Sequence, residues 1–177
     1  GFYIGFVIAG GMSVYHKCYM GDVVRALVKK GAKDKESAVK TYKRLLAAAD
    51  IVKFSEDEVE TFTEEYVDSL TDKLVLITLG KNGSEWRYKG KKNKIPAISV
   101  KPVDTTGAGD AFFAGALSVI DKYVANTLTE EILNDALRFG NIAGALNTTG
   151  RGAIDHLPDL KTINKYLDER KETGDEQ

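Results

Sequence analysis

The sequence predicts an α/β fold, in which strands alternate with helices around a mostly parallel sheet. Three features carry that prediction. Lys73 to Leu79 (Lys-Leu-Val-Leu-Ile-Thr-Leu) is a nearly continuous apolar run of strand length, the pattern of a strand covered on both faces. Ala38, Tyr42, Leu45, Leu46 and Ala49 recur at helical spacing. A glycine-rich loop over 104–110 then opens onto a further helical stretch.

Taken in order, Phe2 to Ala9 is an apolar run too short to span a bilayer, with no basic segment before it and no initiator Met. It reads as a buried strand or as the mark of a truncation. Gly10-Gly11 breaks it, and Val23 to Lys30 has a short helical rhythm that stops at Gly31. The amphipathic helix of the Ala38–Ala49 pattern ends near Asp50. Ile51-Val-Lys-Phe54 is a short strand, and Ser55 with Glu58 forms an N-cap and capping box for the next helix. After the Lys73–Leu79 strand, Glu85–Tyr88 and Ile95–Val100 read as an antiparallel pair flanking a lysine-rich turn. The 104–110 loop launches a helix to about Ile120, and a second runs from Glu130 to about Asn147. Thr148 to Gly152 is a loop, Leu160 to Leu167 a last helix, and 168–177 a charged tail expected to fray. The domain reading is a segment 1–34 without a clear pattern, a body over 35–167, and the tail. No internal repeat or low-complexity segment is visible.

With 177 residues and 43% hydrophobic content, the chain can bury one real core. A net charge of −1 and a pI near 6.2 argue against a nucleic-acid or anionic-membrane partner. The basic run Arg87, Lys89, Lys91, Lys92 and Lys94 alternates around Gly90, which favours a solvated hairpin turn over a binding patch. Cys18 is the single cysteine, so no internal disulfide forms, which fits a reducing, cytoplasmic setting. Cys18 reads as a core or neutral thiol. His16 and His156 lack metal-site spacing, and Trp86 and Tyr88 read as packing residues of the hairpin.

The chemistry concentrates in Gly107-Ala108-Gly109-Asp110. Glycines at a turn into a helix let the backbone approach a ligand, and the first amides with the positive end of the dipole favour an anion. A transferring phosphoryl group spreads charge over its oxygens, which fixed donors stabilise. A carboxylate at position 110 can accept the proton of an incoming alcohol within one turn of those donors. Taken alone, the tetrapeptide reads equally as a tight turn whose Asp complements the dipole. Phe112 breaks the Gly-x-Gly-x-x-Gly dinucleotide pattern, and no Walker A loop occurs, so a phosphate grip here is of another kind.

The longer stretch Asp104-Thr-Thr-Gly-Ala-Gly-Asp-Ala-Phe-Phe-Ala-Gly115 resembles the C-terminal signature of the PfkB (ribokinase-like) carbohydrate kinase family. Other segments follow in the family's order. Ala49 to Glu60 is similar to the segment carrying its Asn-x-x-Glu motif, and Thr78 to Ser84 to its nucleotide-binding strand end. Asn141 to Leu157 is similar to its adenine-side helix and loop. Ile-Val-Lys-Phe-Ser-Glu-Asp-Glu is closest to the fructokinases, and the likeness runs from about Ser37 to Leu160.

The resemblance implies a ribokinase-like three-layer α/β fold and an ATP-dependent sugar kinase that phosphorylates a hydroxyl. In that frame Asp110 is the catalytic base, and Gly107, Ala108 and Gly109 supply the anion hole. Glu58 helps place Mg2+ through water. Thr78, Gly80 and Gly83 border the nucleotide phosphates or ribose, and Asn141 and Thr148 lie toward the adenine. Asp104 and Thr106 are candidate contacts of a monovalent cation such as K+. Read without the family, Glu58 is a capping-box partner, Asn141 carries a polar task inside a helix, and Thr148 ends one.

Two departures stand out. Ser55 occupies the place where the family motif usually has Asn. The family's N-terminal half, which reads the sugar and carries a β lid, is not recognisable, so the chain reads as truncated. A catalytically incomplete nucleotide-binding fragment is therefore the second reading. Exposed sheet edges would then favour a homodimer or a partner chain.

Overall fold

The computed structural model describes residues 18–20, 39–40, 43, 46–47, 49–123 and 127–173. The expected strand at Phe2–Ala9, the helical rhythm at Val23–Lys30 and His16 lie outside them.

Five strands form one sheet in the order β1-β2-β3-β4-β5: β1 Cys18–Met20, β2 Ile51–Ser55, β3 Leu74–Thr78, β4 Ser84–Tyr88 and β5 Lys91–Ile95. The first three are parallel, with Cys18 opposite Ile51 and Ile51 opposite Leu74. The remaining connections, Leu79–Gly83 and Lys89–Gly90, are too short for a parallel crossover, so β4 and β5 run antiparallel to their predecessors. The fold class expected from the sequence is present. β1 falls in the segment that gave no clear pattern.

The chain divides into two compact units, the first comprising the described residues up to Leu79 with Glu85–Lys94, the second Gly80–Ser84 and the residues from Ile95 onward. In the first unit, β2 and β3 bury both faces. Val52, Phe54, Val75 and Ile77 join Leu46, Phe62 and Val67 in one cluster, while Ile51, Leu74 and Leu76 on the alternate face are equally buried. Leu46 and Ala47 are helical. The ammonium of buried Lys73 donates to the carbonyls of Ala47 and Ala49 at 3.1 and 2.8 Å, satisfying acceptors that a helix end leaves open.

The helix expected after Ser55 is broken in two, α1 Glu56–Phe62 and α2 Glu64–Asp68. The break is Thr63, held at φ 74°, a conformation costly for a β-branched residue. Its hydroxyl accepts from the Tyr66 amide at 3.4 Å and starts α2.

The lysine-rich run differs from expectation. Only Lys89 and Gly90, with φ 51° and 75°, form the turn, and Lys91 to Ile95 is strand β5 itself. Two positive φ angles make a twist-matched two-residue hairpin, so the partner strand begins at once rather than at Ile95. The exposed lysines then guard an edge strand. Arg87 on β4 bonds Glu85, Asp68 and Glu64 at 2.6, 2.8 and 2.7 Å, tying α2 to this hairpin.

In the second unit, α3 Ala108–Ile120 packs along α4 Glu130–Asn147. Their seam is made of small residues. A Cβ on Gly144 would stand 2.9 Å from the Ala108 carbonyl, and one on Gly115 would stand 2.9 Å from the Ala143 methyl. Backbone contact at this range seats the last turn of α4 beside the first turn of α3. Ile98, Phe139, Ile142, Ala143 and Ile163 form a core, Ile163 coming from α5 Leu160–Thr173. α5 outruns its expected end at Leu167. Asp-Glu-Arg-Lys-Glu is rich in helix formers, and Lys165 and Glu169 pair at 3.6 Å across one turn. Among the described residues no helix is long and apolar enough to cross a membrane.

Candidate active site

The second unit assembles most of the sequence-predicted residues around the start of α3. Gly107 is the N-cap, at φ 78° and ψ −1° in the left-handed region, and contributes no side-chain cap. A Cβ there would stand 2.8 Å from the Ala153 carbonyl, so the close approach of the 150s loop also requires glycine. Ala108 differs from expectation: its N–H donates to the Thr105 carbonyl at 3.2 Å and closes a turn. Gly107 and Gly109 are the amides of this segment that donate no hydrogen bond among the described residues. Asp110 lies in the first turn of α3, exposed, as that turn's one acidic residue.

The loop before the helix is clamped from two sides. One Asp104 carboxylate oxygen accepts from the Thr106 N–H at 2.9 Å and the Thr106 hydroxyl at 2.7 Å. The other accepts from the Gly152 N–H at 3.0 Å. The Gly152 amide first, then the Thr106 hydroxyl and amide, pull the Asp104 carboxyl down to about 2. Hydrogen bonds to the charged form do this directly. Thr148 contributes through its backbone, its carbonyl accepting from the Val103 and Asp104 amides at 2.7 and 3.1 Å. Its hydroxyl turns back to the Ala145 carbonyl at 2.7 Å.

Asn141 is buried, and its side-chain nitrogen donates to the carbonyls of Ile95 and Pro96 at 3.2 and 3.1 Å. The polar task read from a mid-helix Asn is thus met at least partly by the end of β5. Gly80 opens a short 3-10 turn at φ 55°, and Gly83, at φ 96°, packs on the backbone of Ile95 to Ala97.

Glu58 and Thr78 stand in the first unit. Glu58 is 3% exposed, and its Oε2 accepts from the Ser55 N–H at 2.7 Å, forming the carboxylate half of the capping box. The hydroxyl half is loose, since Ser55 Oγ makes no hydrogen bond among the described residues. The Thr78 hydroxyl donates to the Phe54 carbonyl at 3.3 Å. A cavity of about 230 Å3 beside Val67, Arg87 and Tyr88 includes none of the predicted residues.

Sequence reasoning missed two participants, Asn147 and Gly152. Asn147 is fully buried, and its side-chain amide donates to the Thr106 carbonyl at 3.1 Å. Its signal was an amide side chain in the final turn of an otherwise apolar helical stretch.

Comparison with known proteins places the chain in a family. Residues 20–160 match the model of the pfkB family carbohydrate kinases, beginning earlier than the Ser37 expected from the motifs. The chain is 34% identical over 143 residues to probable fructokinase-7 of Arabidopsis thaliana, covering 75% of this chain and 42% of that protein. It is 40% identical over 121 residues to fructokinase-1 of Zea mays, covering 62% and 37%. Among solved structures, the fructokinase of Vibrio cholerae O395, bound to fructose, ADP and calcium, superposes with a TM-score of 0.68 at 31% identity. That match covers 75% of this chain and 45% of the other. The chain therefore spans about two fifths of the length of the relatives it matches. A family match over most of its length, together with these relatives, makes this chain a member of the pfkB family of carbohydrate kinases.

Proposed function

We propose that this chain carries the nucleotide-binding and base-bearing part of an ATP-dependent, fructokinase-like sugar kinase. One observation carries the proposal: α3 starts on a left-handed Gly107, the Gly107 and Gly109 amides have no acceptor among the described residues, and Asp110 is one turn away. In this reading Asp110 accepts the proton of the sugar hydroxyl as its oxygen attacks the γ-phosphorus. The bond from that phosphorus to the ADP oxygen breaks, and ADP leaves. The glycine amides donate to the phosphoryl oxygens, with Ala108 shaping their turn.

Thr78, Gly80 and Gly83 are assigned to the nucleotide phosphates or ribose, and Asn141 and Thr148 to the adenine side. Among the described residues no group of three or more His, Cys, Asp or Glu could hold a metal alone. In this reading Mg2+ would be held chiefly by phosphate oxygens and water, and Glu58 would help place it through water. Bound there, Mg2+ would supply charge neutralisation between the phosphates. Asp104 and Thr106 are the candidate contacts of K+. ATP and a sugar are the small-molecule partners, in a cytoplasmic setting, and a homodimer is the proposed assembly.

The test is sugar-dependent ADP release by the purified chain, with nucleotide affinity measured in parallel. Asp110→Ala should lower turnover by about 10²- to 10⁴-fold while nucleotide affinity stays within about twofold. Undiminished turnover in that variant would remove Asp110 as the base. Because the chain spans about two fifths of its relatives, a second reading is a nucleotide-binding part without transfer activity. Nucleotide binding with no sugar-dependent ADP release selects it.

A further inference from the structure

We infer that Asn147 is a positioning residue for the anion site, one that orients the Gly107 amide by holding the peptide it belongs to. The inference rests on the kinase reading for its purpose, but its geometry stands alone. The Thr106 carbonyl and the Gly107 N–H belong to one planar peptide unit and point in opposite directions across it. The Asn147 amide donates to that carbonyl at 3.1 Å, so it fixes the line along which the Gly107 N–H projects.

Nothing else among the described residues bonds this carbonyl, and Gly107 itself offers no side chain to restrain the unit. A glycine at φ 78° has freedom to rotate the peptide that precedes it, so an external restraint is required for a preorganised donor.

Three features make Asn147 the restraint rather than a bystander. It is 0% exposed, so water does not compete for its hydrogen bond. The glycine seam between α3 and α4 holds its backbone in place, with Gly144 one turn earlier against Ala108. The adjacent Thr148 carbonyl grips the Val103 and Asp104 amides, so the loop is held on both sides of the Thr106 peptide. The Asn147 Oδ1 is buried without a hydrogen-bond partner among the described residues. An unsatisfied buried oxygen is costly, and a residue serving only to fill space would be cheaper as Leu or Ala. The cost is consistent with selection for the donor on the same carboxamide.

The experiment uses the whole chain, labelled for NMR, with Asn147→Asp and Asn147→Ala. Asn147→Asp keeps the shape and, when ionised, removes the donor. The first readout is the residual dipolar coupling of the Gly107 N–H, which reports the direction of that bond without any ligand. We expect it to change in both variants while couplings in the middle of α3 and α4 stay as in the wild type. An unchanged Gly107 coupling overturns the inference.

The second readout is the affinity ratio of ATP to adenosine. The ratio should fall by about tenfold in Asn147→Asp, with adenosine affinity within about twofold, because only the phosphate end loses a fixed donor. A uniform loss of both affinities marks a merely structural residue and overturns the inference. If the wild type binds no nucleotide, the kinase reading falls, and the dipolar coupling alone decides the role of Asn147. Should both variants fail to fold, a hydrogen-bond coupling between Asn147 Nδ2 and the Thr106 carbonyl carbon is sought in the wild type. Its absence overturns the inference.

Discussion

The starts of α1 and α3 pose the same electrostatic problem and solve it in opposite ways. Each helix begins with a row of amides and the positive end of its dipole. At α1 the chain brings its own anions: Glu56, Asp57 and Glu58 occupy the first turn, and the buried Glu58 carboxylate takes the Ser55 N–H at 2.7 Å. At α3 the cap is a glycine with no side chain, Asp110 is the first turn's one acid, and two glycine amides have no acceptor among the described residues. The first start is closed by residues of the chain, and in the proposed function the second is left for a ligand. On that proposal, what distinguishes an anion site from a helix end is the withdrawal of the cap.

The largest effect expected from breaking this contrast is at Gly107. Gly107→Val forces a β-branched residue into the left-handed region and drives its Cβ into Ala153. The backbone term alone costs about 1–2 kcal/mol, and the clash adds to it. Thermal denaturation should show the loss, and phosphate or ATP binding should disappear with it. Retained binding in a folded Gly107→Val protein would mean that the anion is held elsewhere.

A smaller effect is expected at the closed start. Glu58→Ala removes the partner of the Ser55 amide and should cost about 1 kcal/mol of stability by denaturant titration. A variant of unchanged midpoint would show that the capping contact contributes nothing.

The smallest effect sharpens the contrast through pH. Asp104 has its carboxyl lowered by the Gly152 and Thr106 donors, from 3.8 to about 2. A depressed folded-state value stabilises the loop wherever the unfolded chain would be ionised as well. The clamp is therefore fully present above about pH 4 and is lost as the pH falls through about 2. Hydrogen-exchange protection of the Gly152 and Thr106 amides, taken relative to the intrinsic rate at each pH, should follow that window, and this dependence should vanish in Asp104→Asn. The side chain is solvent-accessible, so high salt should weaken the effect.

Much of the contrast was legible in the residues. Glycines beside an acid announced the open start, and Ser55 with Glu58 announced the closed one. The ends of α3 and α4 were readable because long periodic stretches carry their own limits. β5 was misplaced because charged residues on an edge strand look like a turn, and only the two positive φ angles at Lys89 and Gly90 decide where the strand begins. Thr148 grips the loop through its carbonyl, which residue type does not encode. The same limit hid the turn closed by the Ala108 N–H. Asn147 escaped notice because its partner lies 41 positions away and is a backbone oxygen.

The contrast is tested most directly by titrating ATP, in the absence of Mg2+, into the labelled chain and following backbone amides at both helix starts. The Gly107 and Gly109 resonances should move together along one saturating curve, while those of Asp57 and Glu58 change far less. Equal movement at both starts, or saturable binding that leaves Gly107 and Gly109 unmoved, would contradict an open anion site at α3.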